Sequence, residues 1–139
     1  VGAELIEEQD QELQKAFEDV SAHAHWRHVV RVVQHAFIKT TVENNLYQRL
    51  SKSLIWTKEW AEINQHSTNK MIDFFSNYGL LAEKGLSTTE ARNIVRIIVT
   101  MTSAVVRATL ELPTEEEKKQ LLEELPKMTI AYLSTILGD

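Results

Sequence analysis

A chain of 139 residues is the size of one domain, and such a chain typically buries about 68–70% of its extended surface on folding. Hydrophobic residues at 43% and charged residues at 25% are ordinary for a globular protein, and a formal net charge of −5 argues against a basic face that grips nucleic acid. With no cysteine, disulfides, thiolate nucleophiles and cysteine-ligated zinc are excluded; no apolar run approaches the ~18 residues of a membrane span and no signal peptide is visible, so a cytoplasmic location is expected.

The chain opens on Val1 rather than Met, as a processed product or a trimmed piece would, and a segment upstream is expected. Charge is unevenly spread. Residues 1–20 hold seven carboxylates against Lys15 alone, whereas residues 22–60 hold six Lys/Arg against Glu43 and Glu59. Neither glycine nor proline occurs between Gly2 and Gly79, and sheets need turns that usually use them, so the chain reads as all-α. Six helices are expected, at roughly 3–20, 23–43, 45–56, 58–82, 88–111 and 114–137.

The second of these contains AHAHWRHVVRVVQH, with His23, His25, His28 and His35. On a helical wheel His25, His28 and His35 fall within about 80° of one another, beside the Trp26/Val33/Phe37 stripe. Imidazoles at i,i+3 can chelate a metal. Against that reading, no Asp or Glu occurs from residue 20 to 42, His28 and His35 stand two turns apart, and Arg27 and Arg31 add positive charge. No metal and no cofactor is expected; the histidines read as the edge of a half-buried face whose protonation would make it pH-sensitive.

The 58–82 segment carries large amphipathic or soft groups at helical spacing: Trp60, Met71, Phe74, Phe75 and Tyr78, with Asn64 and Ser67 polar on the same face and Trp56 just before it. One reading is a core with two tolerated polar residues. The other is an apolar pocket with a few placed hydrogen-bonding groups, the usual form of a small-molecule site between helices. In that reading Trp26, Phe37, Met101 and Thr102 join Trp56, Trp60, Asn64, Ser67, Met71, Phe74 and Tyr78 around an apolar or aromatic ligand.

Ser87-Thr-Thr-Glu90 and Thr114-Glu-Glu-Glu117 both match a capping box, in which the hydroxyl and the glutamate satisfy each other's backbone N–H. Gly79 or, better, Gly85 reads as the stop of the helix before it, Gly138 as the stop of the last helix, and Pro126 as a kink inside that last helix. The 88–111 helix is apolar over more than half its circumference, and the last helix is rich in leucine. Together they carry more apolar surface than a small bundle can hide, and self-association is the simplest outlet. The expected interface is Ile97, Ala104, Ala108, Leu125, Tyr132, Leu133 and Ile136. Signatures of dinucleotide, phosphate, hydrolase and zinc-protease chemistry are missing, and Glu62/His66 stand at i,i+4 rather than at the Glu-x-x-His spacing of di-iron bundles. No catalytic residue is assigned.

The order of an acidic connecting helix (AELIEEQDQELQKAFEDV), several amphipathic helices, then TEARNIVRIIVTMTSAVVRATLEL followed by PTEEEKKQLLEELPKMTIAYLSTILG resembles the C-terminal effector-binding and dimerisation domain of the TetR family of bacterial transcriptional repressors. The resemblance spans nearly the whole chain. It implies an orthogonal or antiparallel helical bundle, a homodimer through the last two helices, an inducer held among the helices from 23 to 111, and a connecting helix at 1–20 that moves with the ligand. DNA would be contacted only through an N-terminal helix-turn-helix that this sequence lacks. The rival expectation is a helical protein-interaction module with no small-molecule ligand.

Overall fold

Few residues in this sequence interrupt a helix, and the computed structural model, which describes residues 2–54 and 57–138, is all-helical with no strand among them. The elements are α1 (Gly2–Ser21), α2 (Trp26–Thr41), α3 (Asn45–Leu54), α4 (Lys58–Phe75), α5 (Gly79–Glu83), α6 (Thr88–Thr109) and α7 (Glu115–Leu137). No helix among the described residues is long and apolar enough to cross a membrane.

The two expected boundaries that moved furthest did so for local reasons. The helix expected at 23–43 begins at Trp26: His25 has extended backbone, and its Nδ1 accepts from the Arg27 N–H at 3.2 Å. That is an N-cap, satisfying one of the donors a helix start leaves orphaned. The helix expected at 58–82 breaks after Phe75. Ser76 Oγ and Asn77 Nδ2 both donate to the Asp73 carbonyl, at 3.1 and 2.9 Å, offering the backbone an alternative to further helix. The chain resumes as the short α5, which ends at Gly85. There φ is +78°, and Gly85 N–H and Leu86 N–H donate to the Ala82 and Leu81 carbonyls, a Schellman arrangement.

Contacts divide the chain into two compact units, Val1–Asn69 and Lys70–Asp139, with the boundary inside α4. In the first, α1 packs on α2, and Leu5, Ile6, Leu13, Trp26, Val29 and Trp60 are buried. Polar groups are buried with them: Gln9, Asp10, Gln34, Thr40, Thr41 and Ser51. The second is built on α6 and α7. Leu125, Thr129, Leu133 and Leu137 of α7 are buried, as are Ala91, Ile94, Val95, Thr102, Val106 and Thr109 of α6. Full burial of each leucine contributes about 1.5–3 kcal/mol. The α6 start forms both halves of the capping box: Ser87 Oγ accepts from Glu90 N–H at 3.1 Å, and Glu90 Oε1 accepts from Ser87 N–H at 3.0 Å. At α7 only one half forms among the described residues, Thr114 Oγ1 accepting from Glu117 N–H at 3.2 Å. The helix runs on through Pro126.

Candidate functional site

The first unit contains six of the eleven expected pocket residues. Trp60 is buried, with its ring 6.0 Å from that of Tyr47 and tilted to it by 48°. Gly2 lies against the same indole: a Cβ built on Gly2 would stand 3.1 Å from Trp60 Cζ3. The two polar residues read as ligand groups have partners inside the protein. Asn64 Nδ2 donates to the Trp60 carbonyl one turn back, at 2.8 Å, and Ser67 Oγ donates to Asp10 Oδ1 on α1, also at 2.8 Å. Phe37 is half-buried, and its carbonyl accepts from the hydroxyls of Thr40 and Thr41. Trp56 lies outside the described residues.

Trp26 is only 5% exposed, with the His25 ring stacked 5.6 Å away and the Arg27 guanidinium 4.5 Å from its ring centroid. Its Nε1 is buried and finds no hydrogen-bond acceptor among the described residues. An indole N–H has one use, donation, and when buried it usually finds an acceptor.

Sequence patterning missed the adjacent pair Gln9 and Asp10, 6% and 4% exposed. Gln9 Nε2 donates to the Thr40 carbonyl at 2.6 Å, satisfying one of the carbonyls that the C-terminus of α2 leaves open. Asp10 accepts from Ser67 across 57 positions of sequence. The signal was present as two polar residues on the apolar side of α1, concealed by the surrounding acidic run.

In the second unit, Met71 and Thr102 are buried, whereas Phe74, Tyr78 and Met101 are half-buried. Phe74 meets Phe75 edge-on at 5.2 Å. Burial, and to a lesser degree the charge of Glu83, push the Tyr78 phenol above its ordinary pKa. The residues expected at a dimer interface divide into two groups. Leu125 and Leu133 are 1% and 8% exposed and belong to the interior of the unit, because they stand on the buried four-residue stripe of α7. Tyr132 and Ile136 are half-buried, and Ala104 and Ala108 are exposed, as is Ile97 at 42%. Asp73 and Arg92 form an ion pair within this unit.

The histidines fall on exposed positions, His23 in the turn before α2, His25 at its cap, and His28 and His35 along it. No group of three or more His, Cys, Asp or Glu among the described residues could hold a metal ion. A polar hollow lies along α3, lined by Asn45, Gln48, Arg49 and Lys52 of that one helix.

Compared with known proteins, the chain matches no family model, no curated protein and no solved structure.

Proposed function

We propose that the chain is the regulatory domain of a TetR-like transcriptional regulator, binding a small apolar or aromatic effector and acting as a cytoplasmic homodimer. It works by binding and not by catalysis, and DNA is engaged only through a helix-turn-helix outside this sequence. The effector reading rests on the Trp26 indole N–H, buried without an acceptor among the described residues. An unsatisfied buried donor costs about 1–3 kcal/mol, and an aromatic ligand bearing a carbonyl or carboxylate oxygen would relieve that cost. The homodimer is supported by the apolar residues that α6 leaves exposed.

Trp26→Phe tests the effector role, since it keeps an aromatic ring and removes the donor. Thermal shift and calorimetry against aromatic acids and ketones should find a ligand that the parent binds roughly tenfold more tightly than the variant, the worth of one hydrogen bond of about 1.4 kcal/mol. The unliganded variant should be at least as stable as the parent. Equal affinities would remove Trp26 from the site.

A second reading, a helical interaction module without a ligand, is favoured by Asn64 and Ser67, whose hydrogen bonds are made within the protein. A panel in which no aromatic compound raises the melting temperature would leave this reading standing.

A further inference from the structure

The polar hollow on α3 is lined by Asn45, Gln48, Arg49 and Lys52, whose spacing sets all four on one face of the helix. Each can donate hydrogen bonds, through two amides, a guanidinium and an ammonium. None of these side chains makes a hydrogen bond or an ion pair among the described residues. Asn45, Arg49 and Lys52 are exposed and Gln48 is half-buried, so the donors face solvent.

The two cations also lack opposite charge in the sequence around them. From Asn44 to Thr57 there is no Asp or Glu. Elsewhere in this acidic chain lysines find carboxylates: Lys58 meets Glu62 at 3.7 Å, Lys118 meets Glu115 at 3.3 Å and Lys127 meets Glu124 at 3.5 Å. Positions three apart on a helix stand about 5–6 Å apart at Cβ, so Arg49 and Lys52 hold two positive charges side by side. Like charges at that spacing repel, and an anion between them replaces repulsion with attraction.

The dimensions suit more than a bare ion. From Asn45 to Lys52 the face runs about 10 Å along the helix axis. The hollow has a volume of about 470 Å³, within the range of about 300–1,000 Å³ for small-molecule sites. Leu46, 41% exposed, stands three residues before Arg49 and offers an apolar neighbour to an organic group. A guanidinium fork matches two phosphate oxygens, an ammonium adds a point charge, and the amides can donate to the oxygens that remain.

We propose that this face of α3 binds a small phosphate monoester, with Arg49 and Lys52 on its phosphate oxygens and Asn45 and Gln48 as further donors. The site goes beyond the effector reading and does not depend on Trp26.

Calorimetry and amide NMR spectra of the full chain, with AMP, adenosine and inorganic phosphate as probes at low salt, test it. AMP should bind more tightly than inorganic phosphate, adenosine should not bind, and the shifted amides should gather at residues 45–54. Arg49→Gln and Lys52→Gln should each weaken AMP roughly fivefold, the worth of one exposed charged contact. Arg49→Lys should lose less, because it keeps the charge and gives up only the fork. Added salt should weaken AMP as well. Lys58→Gln on α4 and Trp26→Phe should leave AMP affinity unchanged. Adenosine binding as well as AMP, shifts centred away from α3, or an affinity indifferent to both Gln variants would overturn the site. Inorganic phosphate binding as tightly as AMP would overturn the monoester as its ligand. A chain that ignores AMP but co-sediments with phosphatidylserine vesicles through Arg49 and Lys52 would overturn it in favour of a membrane surface.

Discussion

Both units are helical, but each is held by different chemistry. In Val1–Asn69, α1 is fixed by buried polar side chains, Gln9 on the Thr40 carbonyl and Asp10 on Ser67. In Lys70–Asp139, the buried face between α6 and α7 is mainly leucine, isoleucine and valine. There the fully buried Thr109 donates to the Val106 carbonyl of its own helix at 2.6 Å. Apolar burial is non-directional and tolerates small slips, whereas a hydrogen bond between two helices defines one position along the axis. The first unit therefore has a defined register at α1.

The largest effect should come from the apolar side. Leu125→Ala should cost about 2–5 kcal/mol of unfolding free energy, read by denaturant melts of the full chain, because it leaves a cavity in a face with little room to relax. A loss near 1 kcal/mol would show that α7 is less tightly packed than its 1% exposure indicates. On the polar side, Ser67→Ala should cost about 1–3 kcal/mol by withdrawing a donor from a buried carboxylate. Hydrogen exchange should rise along α1 more than along α7; equal rises would dissolve the distinction between the units.

A smaller effect belongs to the caps. Ser87→Ala should cost about 1 kcal/mol and raise exchange in the first turn of α6. Its pH dependence has a definite sign. The backbone and then the hydroxyl of Ser87 hydrogen-bond to Glu90 and hold its carboxyl below the ordinary glutamate pKa. A lowered folded pKa gives stability that is present above the unfolded value and is lost as pH falls through the folded one. The gap between the parent and Ser87→Ala should therefore narrow on acidification below the carboxylate range. A gap that stays constant with pH would mean that the Ser87 hydroxyl does not act on the Glu90 carboxylate.

The sequence made the helices easier to foresee than the partners of their side chains. The absence of glycine and proline between Gly2 and Gly79 announced helices, and Ser87-Thr-Thr-Glu90 announced where α6 begins. These are short-range signals, complete within a few residues. The break after Phe75 was also local, but it depends on Ser76 and Asn77 turning back to one carbonyl, which an apolar stripe running past them conceals. Asn64 and Ser67 stood out as polar residues on an apolar face, and a ligand was one way to satisfy them. Their actual partners are a carbonyl one turn away and a carboxylate on α1. Periodicity shows which side chains turn inward and is silent on what they meet there. Leu125 and Leu133 illustrate the same limit, since a leucine stripe looks identical whether its cover is a neighbouring helix or another molecule.

Gly2 earns its place through clearance, not through backbone freedom. An alanine there would put its methyl carbon 3.1 Å from the edge of the Trp60 indole, so one of the two would have to give by a few tenths of an ångström. Position 2 thus works as a feeler gauge at one end of α1. Swapping its occupant offers a way to tilt that end of the rod while the anchors at Gln9 and Asp10 stay fastened.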